Sequence, residues 1–175
     1  MRGIVAGFAV SLDGYIEGPN GEYDWMSANT DPNYDYSDSA KRFDTFLIGR
    51  KTYDKIKSFN DPSFKQYSNY VFSKTITEVV DGFKLVNNDI INFIEDLKRK
   101  QGKEIALYGG ADLLASFLDY ELIDEISMTV IPILLGNGKP MVSILKNRVW
   151  LTLVETKSFA NGNVIVTYKV RPKRD

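Results

Sequence analysis

A chain of 175 residues with 43% hydrophobic side chains has the make-up of one soluble globular domain. Its 22 basic against 23 acidic residues exclude a global pull towards nucleic acid or an anionic membrane, and no apolar run is long enough to span a bilayer. It has no cysteine, which excludes disulfides and thiol chemistry and fits a cytoplasmic chain, and no histidine, which excludes Ser-His-Asp and Cys-His catalysis and histidine metal sites. Chemistry here is left to carboxylates, Lys, Tyr, water or a cofactor. A cofactor is the economical answer, because it brings its own reactivity and asks the protein for positioning.

Gly3 to Val10 is a continuous apolar run, predicted as a strand buried on both faces, ending at the turn Ser11-Leu12-Asp13-Gly14. Tyr15-Ile16 resume briefly before the turn residues Gly18-Pro19-Asn20-Gly21. The polar segment Ser27 to Ser39, with Trp25, Tyr34 and Tyr36 at hand, reads either as a solvated loop and helix start or as the rim of a substrate site. Ala40 to Asp44 is expected to close a helix, followed by strand Thr45 to Ile48 and a helix around Lys51 to Ile56. Tyr70 to Phe72 and Phe83 to Val86 are short strands; Ile90, Phe93, Ile94 and Leu97 recur at helical spacing, with Gly102 as the stop.

Glu104 to Tyr108 is the next strand, and Leu114, Phe117 and Leu118 line one side of the helix after it. Ile126 to Ile131 is a strand stopped by Pro132, and Ile133 to Gly138 is an apolar segment ending in a glycine turn. Trp150 to Lys157 and Asn163 to Val170 read as a hairpin joined at Asn161-Gly162. With no repeat or linker, the expected architecture is a single α/β domain over residues 1–175. A mostly parallel sheet would be flanked by helices on both faces and end in an antiparallel hairpin.

Three strand ends carry phosphate-friendly residues. Gly49-Arg50-Lys51-Thr52 offers a helix start, two cations and a hydroxyl; Ser73-Lys74-Thr75 offers a cation between hydroxyls; Gly109-Gly110-Ala111 offers backbone N–H groups at a helix start, with Asp112 close by. Taken separately, each is equally an ordinary turn. Ligands bind beyond the carboxyl ends of strands in open α/β sheets, so the three could share one crevice. One glycine turn and two basic turns match the pyrophosphate and 2′-phosphate of NADP. The Rossmann and P-loop glycine patterns are both absent, so a bound nucleotide would be held by another arrangement.

Gly49-Arg50-Lys51-Thr52-Tyr53 after Phe46-Leu47-Ile48, together with Tyr108-Gly109-Gly110-Ala111, resembles the NADPH-gripping segments of dihydrofolate reductases. Ser11-Leu12-Asp13-Gly14-Tyr15-Ile16 and Leu122-Ile123-Asp124-Glu125-Ile126, with Ile131-Pro132-Ile133-Leu134-Leu135-Gly136-Asn137-Gly138, more closely resemble the reductase (C-terminal) domain of the bacterial bifunctional riboflavin biosynthesis deaminase-reductase. The resemblance spans nearly the whole chain. It implies the dihydrofolate-reductase-like fold, NADPH as hydride donor and a flat pyrimidine- or pterin-like acceptor such as 5-amino-6-(5-phosphoribosylamino)uracil. It assigns phosphate contacts to Gly49, Arg50, Lys51 and Thr52, and the 2′-phosphate to Ser73 and Lys74. The nicotinamide-pyrophosphate turn falls to Gly109, Gly110, Ala111 and Asp112, and the lip of the first loop to Ile16. No metal site is implied.

The acid that a reductase of this superfamily places on the preceding helix has no secure counterpart. Asp31, Asp35 and Asp38 lie near the place, and Asp13 is the alternative, although fixing the Asp-Gly turn is its other reading. Lys146, Arg148 and Arg42 are candidates by charge alone for a sugar phosphate. A non-catalytic NADP(H)-binding or sensor module on the same fold is the rival reading, and a ligand-free structural protein the third. The apolar C-terminal strands and Ile131 to Leu135 read equally as core or as a homodimer contact.

Overall fold

The computed structural model describes residues 1–29, 40–59 and 61–172. The segments rich in β-formers become strands: β1 (Ile4–Ser11), β3 (Phe43–Gly49), β4 (Ser68–Phe72), β5 (Phe83–Val86), β6 (Glu104–Leu107) and β7 (Glu125–Ile131). With β9 (Leu151–Ser158) and β10 (Val164–Val170) they form an eight-stranded sheet in the order β5-β4-β3-β6-β1-β7-β10-β9. The pairings from β5 to β7 are parallel, and the C-terminal hairpin adds antiparallel pairings of β10 to β7 and of β9 to β10. A two-stranded sheet of β2 (Tyr15–Glu17) and β8 (Lys139–Pro140) stands apart from it.

Four helices are described: α1 (Asp24–Ala28), α2 (Arg50–Phe59), α3 (Ile90–Arg99) and α4 (Ala111–Asp119), with a 3-10 turn at Pro62–Gln66. The spacing that buries Ile94 and Leu97 of α3, and Leu114, Phe117 and Leu118 of α4, packs both helices on one face of the sheet against Ile4, Ala6, Leu47 and Leu107. Tyr53 and Ile56 of α2 cover the other face, over Ile48 and Val71. The chain therefore leaves β3 and β6, which are neighbours, towards opposite faces. Their carboxyl ends part there and open a crevice.

The structure differs from the sequence reading at a few places. Phe43 and Asp44 belong to β3 and not to a helix end, because Phe43 already pairs with Glu104 of β6. The turn at 62–66 is capped by Asp61, whose carboxylate accepts the Ser63 N–H at 2.8 Å, a signal too short for periodicity to reveal. Trp25 is buried on α1. Asp31, Asp35, Asp38, Tyr34 and Tyr36 lie outside the described residues.

Among the described residues no helix is long and apolar enough to cross a membrane, and no group of side chains is arranged to hold a metal. Phe117 is wholly buried, its ring edge-on to Phe72 at 5.4 Å. Replacing it with Ala should cost about 3–5 kcal/mol, read as a lower urea midpoint at unchanged slope.

Candidate active site

The crevice is formed by backbone that only glycine permits. The Gly49 N–H donates to the Gly109 carbonyl at 3.3 Å, and a Cβ on Gly49 would lie 3.2 Å from that same oxygen. Gly109 and Gly110 have φ of +84° and +99°, and a Cβ on Gly109 would meet the Thr52 hydroxyl at 3.0 Å. β3 and β6 thus end in direct contact, with the starts of α2 and α4 beside them. Gly110 caps α4 without any side-chain hydrogen bond, which leaves the positive end of that helix to the cleft.

This cleft has a volume of about 320 Å³, enough for part of a nucleotide. All three predicted turns reach it: Gly49, Arg50 and Lys51; Ser73, Lys74 and Thr75; and Gly110 with Asp112. Sequence reasoning missed Asn87, Ser116 and Lys139, which also line it, because nothing in their local sequence marks them. Thr52, Gly109 and Ala111 lie behind the lining: Thr52 packs against Gly109, and Ala111 is buried. Ile16 sits half-buried in β2 and does not line the cleft.

The electrostatics are local and cationic. Arg50 spans two of the turns, bonding Asp54 at 2.7 Å and the Thr75 hydroxyl at 3.2 Å. Ser73 accepts the N–H groups of Thr75 and Ile76 at 3.2 and 3.4 Å, which holds its turn closed. Lys51 and Lys74 have no hydrogen-bond or ion-pair partner among the described residues. The Asp112 carboxylate is occupied by the Ser143 hydroxyl, which draws it towards the 140–144 segment. Lys139 enters from the small sheet, where Glu17 lies 3.9 Å from it and 3.0 Å from Lys55.

Asp13 sets the position of that small sheet. Its carboxylate accepts the Ser11 hydroxyl at 2.7 Å and the N–H groups of Leu135 and Gly136 at 3.1 and 2.7 Å. The Ser11 hydroxyl above all, then the two backbone donors, hold its pKa below the ordinary carboxylate range. A carboxylate so occupied stays ionised and acts as an anchor. Arg42 is bound to Glu104 and Glu125 at the amino-terminal end of the sheet, so it is not the basic spot considered for a sugar phosphate. Arg148 lines a separate groove with Trp150 and Arg171 at that same end, away from the three turns.

A mostly parallel sheet with a crevice between two diverging strands, cationic turns and a glycine-lined helix start defines a dihydrofolate-reductase-like domain. Residues 2–165 match the model of the RibD C-terminal domain, and the chain belongs to that family. It is 37% identical to the uncharacterized protein YyaP of Bacillus subtilis, covering 96% of this chain and 95% of the relative. A putative riboflavin biosynthesis protein from Shewanella sp. PV-4 superposes with a TM-score of 0.87 at 31% identity, over 98% of this chain and all of that one. Dihydrofolate reductase from Enterococcus faecalis, solved with NADP(H), shares the fold at a TM-score of 0.67 and 15% identity, over 97% of each chain.

Gly109→Ala should destabilise the fold by about 1–3 kcal/mol, since it forces a side chain into a positive-φ position against Thr52; chemical denaturation reads this directly. For Asp13 the folded pKa is depressed, so its stabilisation is present above the ordinary aspartate pKa and is lost as pH falls through the folded value. The stability gap between wild type and Asp13→Asn should therefore be full at neutral pH and close on acidification below about pH 4. A gap that did not vary with pH would sink the anchoring role.

Proposed function

We propose that this chain is an NADPH-dependent reductase transferring hydride to a flat pyrimidine- or pterin-like heterocycle, with 5-amino-6-(5-phosphoribosylamino)uracil as the leading candidate. The observation that carries this reading is the convergence of the three turns on one cleft holding two cations, Lys51 and Lys74, that have no partner among the described residues. The residues present fit a dinucleotide. The glycine contact leaves a backbone cradle that any Cβ would fill, and the uncapped start of α4 suits a pyrophosphate. Family membership and the NADP(H) bound to the Enterococcus enzyme support the cofactor.

In this reading Gly49, Gly109 and Gly110 admit the pyrophosphate to the backbone, while Arg50 and Lys51 neutralise it. Ser73, Lys74 and Thr75 take the 2′-phosphate, and Asn87 and Lys139 close the rim. Ala111 and Thr52 hold the turns from behind, and Ile16 with the small sheet forms the lip. The cofactor, when bound, supplies the hydride. The protein supplies orientation, which for a bimolecular transfer is worth several kcal/mol of barrier. Asp13 is a positioning residue: it fixes the segment that carries Lys139.

One observation favours the rival of a non-catalytic NADP(H)-binding module. Of the candidate acids, the one among the described residues, Asp13, is occupied as a hydrogen-bond acceptor and does not stand ready to donate a proton. Dinucleotide binding without turnover on any heterocycle would select that reading. The homodimer reading has its candidate surface on the edge strand β9, where Leu153 and Val154 are exposed beside Trp150, and sedimentation would measure it.

The test is a titration with NADPH and separately NADH, followed by the fluorescence of Trp25 and Trp150. NADPH should bind more tightly. Lys74→Ala should weaken NADPH by about tenfold or more and leave NADH nearly unchanged, as expected for losing one charge-assisted contact. Equal losses for both cofactors would remove Lys74 from the 2′-phosphate, and no binding of either would overturn the reductase reading.

A further inference from the structure

The chain carries three Asn-Gly pairs, at Asn20-Gly21, Asn137-Gly138 and Asn161-Gly162. Each offers the same reactive combination: a side-chain amide carbon followed by a main-chain nitrogen on a residue with no Cβ to shield it. Whether the two meet depends on what else holds the nitrogen and the amide. The fold treats the three pairs differently.

At Asn20 the Gly21 N–H donates to the Gly18 carbonyl at 3.0 Å, and the Asn20 amide donates to the Glu22 carboxylate at 2.6 Å. At Asn161 the Gly162 N–H donates to the Phe159 carbonyl at 2.9 Å. The Asn161 amide is held at both ends: its nitrogen donates to the Asn29 carbonyl at 2.8 Å, and its oxygen accepts the Asn163 N–H at 3.1 Å. In both pairs the glycine nitrogen is committed to a turn. Gly21 and Gly162 have the positive φ, +85° and +86°, that such turns need.

Asn137 is the exception. The Gly138 N–H donates to the Oδ1 of Asn137 itself at 2.8 Å. Among the described residues the side-chain nitrogen of Asn137 has no hydrogen-bond partner, and the residue is exposed to water. Because Oδ1 is bonded to Cγ, this contact sets the Gly138 nitrogen against the amide carbon. Holding two reacting groups in contact is what makes an intramolecular attack fast.

We propose that Asn137-Gly138 is a self-modification site, the first Asn-Gly pair of the chain to deamidate. The Gly138 nitrogen attacks Asn137 Cγ, and the new N–C bond closes a succinimide ring. The bond from Cγ to the side-chain nitrogen breaks, and that nitrogen leaves as ammonia with the proton from Gly138. Water then opens the ring. Cleavage between the Gly138 nitrogen and Cγ gives aspartate. Cleavage between that nitrogen and the Asn137 main-chain carbon gives isoaspartate, whose main chain runs through Cγ and is longer by a methylene. Nothing is oxidised or reduced.

The place of the pair gives the change a consequence. Its segment has no slack. Leu135 and Gly136 are held on Asp13 at 3.1 and 2.7 Å, and Lys139 and Pro140 pair with Glu17 and Tyr15. A Cβ on Gly138 would run into the Glu17 carbonyl. An added methylene therefore displaces Lys139, which follows directly and lines the cofactor cleft. Either product also puts a negative charge next to that lysine and weakens the attraction of the cleft for phosphate. This consequence rests on the reductase reading; the modification does not.

The test ages the full chain at neutral and at mildly alkaline pH and maps its peptides by mass spectrometry, with the same chain in urea as reference. In urea the three pairs should convert at similar rates. In the folded chain Asn137 should convert at least about tenfold faster than Asn20 and Asn161, each of which must first open a hydrogen-bonded turn. Alkaline pH should speed it further, since the attacking nitrogen has to lose its proton. Aged protein should bind NADPH about tenfold more weakly, as for losing one charge-assisted contact. Asn137→Ser has no amide to lose, so it should bind NADPH as wild type does and keep that affinity with age.

Conversion of Asn20 or Asn161 as fast as Asn137 in the folded chain overturns the inference. So does an unconverted Asn137 in folded protein when the urea sample has converted. Equal NADPH affinity in fresh and fully converted protein overturns the link to the cleft. Selective conversion of Asn137 in a protein that never binds NADPH upholds the modification site and removes only the cofactor reading.

Discussion

The contact between Gly49 and Gly109 is the constraint on which the rest depends. Two parallel strands end at the same height, and the N–H of one glycine reaches the carbonyl of the other at 3.3 Å. The chain then turns to opposite faces of the sheet, into α2 on one side and α4 on the other. With no side chain at either glycine, two helix starts and a run of backbone lie close together. Thr52 closes the contact from below. A Cβ at either position would crowd this contact, 3.2 Å from the Gly109 carbonyl on one side and 3.0 Å from the Thr52 hydroxyl on the other.

At the amino-terminal ends of the strands three cations are ion-paired: Arg2 with Asp44, Arg42 with Glu104 and Glu125, and Lys98 with Asp124 at 2.7 Å. At the carboxyl ends Lys51 and Lys74 have no partner among the described residues. Exposed ion pairs contribute little to stability, but each offsets the charge of its own cation. The two lysines keep theirs. A molecule with a formal charge of −1 therefore presents a concentrated positive site where the helices begin.

The second organising device is Asp13, which binds the first loop to the segment before β8. Its Asp-Gly turn was legible, because a short acceptor followed by glycine is turn chemistry. Its partners were not, since Leu135 and Gly136 are more than a hundred residues away and only the fold brings them to it. Lys139 is a similar case. In the sequence it is one lysine after a glycine turn, and it becomes part of the cleft because the small sheet folds over the strand ends.

From the sequence alone follow the strands of the large sheet, its mostly parallel character, the C-terminal hairpin, the three candidate turns and the family. These depend on local patterns: apolar runs, helical spacing, glycine before a helix. Convergence of the turns depends on the crossover directions of β3 and β6, which no local pattern encodes. The pairing of each carboxylate is likewise decided by register. The Asn-Gly pairs are the clearest example: in the sequence all three are alike, and only the turns around them decide which glycine nitrogen faces its own amide. Local chemistry specifies which segments can turn or pair; the long-range packing of the sheet decides which of them face the same volume.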